Sequence, residues 1–339
     1  MKCFKSISAI CIFAMLYCVA SPLLSAQVSK KKIVTWYIYN KDRGFNDLKP
    51  YKDIIASISV FGNPPKKFIN ECHENNIQIY HAVSGTEEII NNTKKIQETV
   101  NNYANDCILN GYDGIDLDFE NLNINVKHKY SKFLYCCSHK LHSIGKKLSQ
   151  CVGFNFNIQE GKADIFYNPI VIGKTCDLVR VMCYDMYFAP GIGVKNLLTR
   201  NDCQGVGPTS DFYWTKEAMI FWSKYVSKKK LVIGLPAYSN DYVLDKHIVG
   251  KQVYSSVPDS VFNKLPDPIW LWREKLNMYI YKDITGRTHL FYASDQKSTK
   301  YLLNICNELD INKVGFWHLS SMNDAIWNVV RLWIEQSKK

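Results

Sequence analysis

The sequence predicts an α/β protein, a (β/α)8 barrel of the TIM type with a small insertion between its seventh and eighth strands. Two patterns and a length point there. Apolar runs of strand length recur eight times, and helical patterns lie between most of them. Strands alternating with helices imply a parallel sheet, and eight repeats favour its closure. The length of 339 residues suits one large barrel domain. The periodicity also allows an open doubly wound sheet. No glycine-rich phosphate loop follows any strand, which argues against nucleotide binding.

The strand-like runs are 33–39, 54–61, 77–83, 114–120, 149–158, 178–186, 231–238 and 314–319. Between them, Phe68, Ile69 and Cys72 recur at helical spacing. Ile96, Val100, Ala104, Cys107 and Ile108 form a second face, which Gly111 ends. The clearest stripe is Tyr130, Phe133, Leu134, Cys137, Leu141, Ile144 and Leu148. Thr215 is placed to cap a helix carrying Ala218, Met219, Trp222 and Val226. Leu302, Ile305, Cys306 and Leu309 mark the next helix. Asp324 is placed to cap the last, which carries Ile326, Val329, Val330 and Trp333. In the long stretch before the eighth strand, 279–281 and 289–292 flank Asp283-Ile284-Thr285-Gly286, which reads as a small hairpin.

The fourth strand carries the chemistry. Asp116, Asp118 and Glu120 alternate with Ile115, Leu117 and Phe119. Strand side chains alternate between faces, so the three acids point one way. Such a row resists desolvation and repels itself, so its members share protons and neighbours. A solvent-facing acidic strand or a metal-binding cluster is the plainer reading. Asp113 sits before the shared face and reads as structural.

The spacing D-x-x-D-x-D-x-E, complete here as Asp113, Asp116, Asp118 and Glu120, resembles the signature of glycoside hydrolase family 18, the chitinases and their relatives. Met182-Cys183-Tyr184-Asp185 on the sixth strand and Trp317 on the eighth resemble the same family. Ser84-Gly85 matches the family's glycine-rich third-strand ending only in part. The resemblance spans most of 33–330. It implies an N-acetylglucosamine-containing oligosaccharide as substrate and no cofactor. Glu120 would be the general acid. Asp118 would orient the substrate's own acetamide, which attacks in place of an enzyme nucleophile. Asp116 would share a proton with Asp118, and Tyr184 would donate a hydrogen bond to the acetamide. Met182, Asp185 and Trp317 would bind substrate, Trp317 as the floor beneath the sugar ring. The acid neighbours predict an acidic pH optimum.

Within the family the chain is most similar to the di-N-acetylchitobiases, through Thr175-Cys176-Asp177-Leu178, the 231–238 run LVIGLPAY, and Tyr281-Lys282-Asp283 before Gly286. That likeness implies exo action on chitooligosaccharides or glycan-core chitobiose, a secreted or lysosomal location, and a Cys176–Cys203 disulfide. The readings to weigh against it are an endo-acting chitinase or endo-N-acetylglucosaminidase, and a chitinase-like lectin on the same barrel.

Residues 1–26 read as a secretory signal: Lys2 and Lys5, an apolar run from Ala9 to Ala20, then small residues. That leaves 27–339 as the catalytic barrel, with no later stretch long and apolar enough to span a membrane. Removing the signal lowers the formal charge from +11 to +9 and leaves nine cysteines: 72, 107, 136, 137, 151, 176, 183, 203 and 306. In an exported chain these suggest disulfides, with at least one thiol left over. No cysteine–histidine spacing suits zinc. No basic stripe interleaved with aromatics points to nucleic acid.

Overall fold

Apolar runs buried on both faces need partners on both edges, and a closed parallel barrel supplies them. The computed structural model describes residues 31–120, 122–153, 166–187, 206–245, 247–255 and 264–336. The barrel strands are β1 (Lys32–Ile38), β2 (Ile55–Phe61), β3 (Gln78–Val83), β4 (Gly114–Leu117), β5 (Lys147–Val152), β6 (Leu178–Met182) and β7 (Leu231–Pro236). Five more, β8 (Tyr238–Asp245), β9 (His247–Ser255), β10 (Ile269–Leu271), β11 (Leu276–Lys282) and β12 (Thr288–Ala293), precede the last barrel strand, β13 (Lys313–Trp317). The closed order is β1-β13-β7-β6-β5-β4-β3-β2, parallel throughout.

Among the described residues the helices are α1 (Lys66–Glu74), α2 (Glu87–Asn91), α3 (Thr93–Asn110), α4 (Lys127–Ser143), α5 (Pro169–Thr175), α6 (Phe212–Ser223), α7 (Gln296–Leu309) and α8 (Asp324–Glu335). Each buries the apolar stripe its sequence carries against the outer barrel wall. Gly111 ends α3 in the left-handed region at φ 92°. The α4 stripe runs shorter than its spacing suggests. The helix stops at Ser143, and Leu148 belongs to β5, because Gly145 at φ 71° turns the chain. Two caps also shift. Asp211, not Thr215, accepts the Trp214 N–H at 2.7 Å, and Thr215 lies inside α6. Asn323, not Asp324, accepts the Ile326 N–H at 2.9 Å, and Asp324 opens the helix.

Strands β1, β4, β6, β7 and β13 end sooner than their apolar runs, β2 and β3 end where theirs do, and residues 154–158 of the fifth run lie outside the described residues. The β4 ladder stops at Leu117, although the Asp118 N–H still reaches Val83 O at 2.8 Å. β6 stops at Met182 and β13 at Trp317. The candidate catalytic residues therefore sit on, or one to three residues past, the C-terminal rims of their strands, where such barrels place their sites.

Glycine is required where Trp36 fills the interior. A Cβ on Gly234 would lie 2.6 Å from Val181 O and 2.7 Å from the Trp36 ring. Backbone cannot yield there, so Gly234→Ala is expected to cost about 1–3 kcal/mol by overpacking, read as a lower urea midpoint.

The insertion exceeds the single hairpin legible in the sequence. The hairpin exists as β11 and β12, but it belongs to a five-stranded sheet of order β10-β11-β12-β8-β9. Its strand β8 carries Ser239, Asn240 and Asp241, polar residues that hide it in the sequence, and all three are buried. Their partners offset the desolvation. Asn240 donates to Gly207 O at 3.1 Å, and Tyr281 donates to Asp241 at 2.8 Å. The Tyr242 hydroxyl, also on β8, donates to the same Gly207 carbonyl at 3.0 Å.

The eight cysteines among the described residues are free thiols, seven of them buried. Cys176 is one of these; Cys203, its expected partner, lies outside the described residues, as does the expected signal at 1–26. No described helix is long and apolar enough to cross a membrane.

Candidate active site

The site begins with a buried ion pair. Asp116 on β4 and Arg180 on β6 are both fully buried, 3.4 Å apart between Oδ2 and Nε. The same oxygen accepts from the Ser59 hydroxyl at 2.5 Å and from the Cys151 thiol at 3.3 Å. Arg180 donates further to Ser149 Oγ at 3.1 Å and to Val34 O at 3.1 Å, with Trp36 and Tyr80 rings beside its guanidinium. Period-two alternation explains the placement. Val179, Val181 and Cys183 pack outward against helices, so Arg180, Met182 and Tyr184 face inward.

Above Asp116 the acids approach solvent. Asp118 is partly buried, and Glu120 is exposed at the rim. Burial, then the charges of Glu120 and Asp116, push the Asp118 carboxyl up to about 7. Burial and the charge of Asp185 also raise Glu120, while a hydrogen bond with Asp118 opposes that rise. The two carboxyls are thus coupled, through their charges and through the hydrogen bond between them. Phe119, between them, turns outward, and Gly85 leaves room for its ring: a Cβ there would lie 2.2 Å from Phe119 Cζ.

Aromatic rings close the other side. Tyr184 stacks on Trp317 at 6.2 Å and meets Trp36 edge-on at 5.8 Å. Trp317 also meets Phe61 edge-on at 5.1 Å, and its peptide bond to His318 is cis. Asp185 takes the left-handed region at φ 58°, with its N–H on Thr209 Oγ1 at 3.2 Å. Its carboxylate accepts from the Tyr238 hydroxyl, whose own pKa is driven far up by burial and by that charge. Asp113 lies at the opposite end of β4. There it accepts from the Ile79 N–H at 2.8 Å and meets His73 Nε2 at 2.9 Å, tying α1 to β3. Among the described residues no group of three or more His, Cys, Asp or Glu is arranged to hold a metal ion.

The arrangement is an exposed acid at the rim, a carboxyl beside it and aromatic rings on the other side, residue types that suit a glycosidic cleft. The family described as Glycosyl hydrolases family 18 matches residues 33–321. The chain belongs to this family. Among its relatives, the uncharacterized glycosylase YvbX of Bacillus subtilis is 23% identical over 224 residues, 65% of this chain and 61% of that protein. The chain thus spans under two thirds of that relative's length. A chitinase from Chromobacterium violaceum superposes with a TM-score of 0.76 at 17% identity, covering 90% of this chain and 99% of its own. Human YKL-39, a pseudo-chitinase with retained chitooligosaccharide binding properties, superposes at 0.73 with 11% identity, covering 90% and 100%. At such identities these structures speak for the shared barrel alone.

In this family 18 barrel, sequence reasoning left out Ser59, Cys151 and Arg180, and the bond from Tyr238 to Asp185. Arg180 had a signal, a cation inside the apolar run LVRVM at an inward position. Ser59 and Cys151 had none, since nothing local marks them as partners of Asp116.

The raised Asp118 carboxyl carries a stability signature. Its folded value exceeds the ordinary 3.8, so folding favours the protonated form. The linked stability is complete below about pH 4 and is lost as pH rises through 7. Asp118→Asn removes the titration. Its stability relative to wild type is expected to rise between pH 4 and 7, on the order of 2 kcal/mol after allowing for partial solvent screening. Urea midpoints of both proteins at pH 4, 5.5 and 7.5 check this, and a constant difference would contradict it.

Proposed function

We propose that the protein is a secreted hydrolase that cleaves β-1,4 bonds of N-acetylglucosamine-containing oligosaccharides by substrate-assisted, retaining catalysis. The observation that carries the reading is the graded acid series: Asp116 held by Arg180, Asp118 raised to about 7, and Glu120 raised and open to solvent. Glu120 protonates the departing glycosidic oxygen, and its raised pKa keeps the proton available in mildly acidic solution. The substrate acetamide oxygen attacks the anomeric carbon, and Asp118 takes up the acetamide N–H. Its buried Oδ1 has no protein hydrogen-bond partner among the described residues, which leaves an acceptor for that group. Asp116, held as an ion pair by Arg180, backs Asp118 with its negative charge. Tyr184 donates to the acetamide, Asp185 holds the sugar or the incoming water, and Met182 and Trp317 line the ring's underside.

Within this reading the chain acts from a chain end, in the manner of a chitobiase. Two other readings have specific support. A relative from Brugia malayi, 27% identical over 144 residues, is called an endochitinase, which suits an endo-acting enzyme. YKL-39 is called a pseudo-chitinase that binds chitooligosaccharides, which suits a lectin. The retained acid Glu120 favours an enzyme over the lectin. Incubation with end-labelled N-acetylglucosamine oligomers, read by mass, separates the three. Single units released support exo action, and internal cuts move the reading to a chitinase. Saturable binding with no product over long incubation replaces it with the lectin.

A further inference from the structure

The barrel has a second mouth, at the N-terminal ends of its strands, on the opposite face from the acids. A cavity of about 340 Å³ opens there. Three lysines line it, one at the start of each of three strands: Lys32 on β1, Lys147 on β5 and Lys313 on β13. Asp177 supplies the cavity's one lining carboxylate among the described residues, and it is already engaged. Its Oδ2 accepts the Leu148 N–H at 2.8 Å and meets His142 Nε2 at 2.8 Å. Among the described residues the acceptors of two of these lysines are neutral: Gln78 for Lys147 at 3.2 Å, and Asn312 and the Lys229 carbonyl for Lys313.

The charge is also placed against itself. Lys32 and Lys313 are direct cross-strand partners, an arrangement that repels. Burial, then Lys32, pull the Lys313 ammonium down to about 8, with no carboxylate opposing the fall. One layer deeper, Arg180 bonds Val34 O and lies beside Tyr80, both residues of the cavity wall, and among the described residues its ion pair is with Asp116. A dianion in the cavity would relieve the repulsion and restore the Lys313 charge. Lysine is a common phosphate ligand, and the cavity lies at the lower end of small-ligand volumes, ~300–1,000 Å³.

We propose that this mouth is a phosphate-binding site, with Lys32, Lys147 and Lys313 as its ligands. It takes free phosphate or a small phosphate monoester, and it is separate from the glycan cleft. Calorimetric titration of the whole protein with inorganic phosphate and with glucose 6-phosphate, at fixed ionic strength with chloride as reference, tests it. One-to-one saturable binding is expected. It should weaken at least tenfold in Lys313→Gln and in Lys147→Gln, and persist in Lys313→Arg and in Lys228→Gln, which alters an exposed lysine outside the cavity. Tighter binding of the ester identifies a phosphorylated metabolite as the ligand class, and equal binding identifies free phosphate. Two results overturn the site: no saturable binding of either probe, or equal binding by wild type and both glutamine variants. Two independent glutamine variants keep the test valid should one fail to fold.

Discussion

Glu120→Gln is expected to lower kcat on N-acetylglucosamine oligomers by about 10²–10⁴-fold, the range a positioned general acid supplies. The substitution keeps size and polarity but removes the proton. KM should change little, because the proton moves only as the bond breaks. The loss should shrink on an aryl glycoside, whose phenolate departs without protonation. The wild-type rate should fall as pH rises through the raised Glu120 pKa, and the variant should lack that limb. Removing the Glu120 charge also removes the second-largest cause of the Asp118 shift, so the Asp118 carboxyl should titrate below about 7 in the variant. Steady-state kinetics on both substrates across pH measure all of this. Retention of activity within tenfold on the oligomers would assign the proton to another group.

Arg180→Met is expected to be the most destabilising single change near the site, by about 3–5 kcal/mol. Methionine fills much of the volume but leaves Asp116 buried with only Ser59 and Cys151 as partners. A buried charge stripped of its cation costs far more than the pair itself contributes. Asp116→Asn combined with Arg180→Met should therefore cost less than the sum of the two single changes, with a coupling of about 0.5–3 kcal/mol. Urea unfolding of the four proteins completes the cycle. Additive costs would show that the two side chains act independently despite their contact.

The site was legible in unequal parts. The acids at 116, 118 and 120 declare themselves because a strand repeats every two residues, so three side chains on one face are visible as alternation. Tyr184, Asp185 and Trp317 were visible as the endings of apolar runs. What holds them was not. Ser59, Cys151 and Arg180 reach one Asp116 oxygen from three different strands. Tyr238 reaches Asp185 across 53 residues of chain. Partnerships over such separations depend on barrel order and register, which no local window contains.

The same division holds for the fold. Local pattern alone determined that the chain alternates strands and helices, that Gly111 ends a helix, and that a hairpin surrounds Gly286. Those signals act within a few residues, through backbone sterics and side-chain periodicity. Tertiary structure decided where each strand stops, because a ladder ends where its neighbour turns away. It also decided that polar β8 is a strand at all, since Asn240 and Asp241 are buried only because distant groups satisfy them. Closure of the barrel likewise set Lys32 against Lys313, 281 residues apart, and put the acids at one mouth and the lysines at the other.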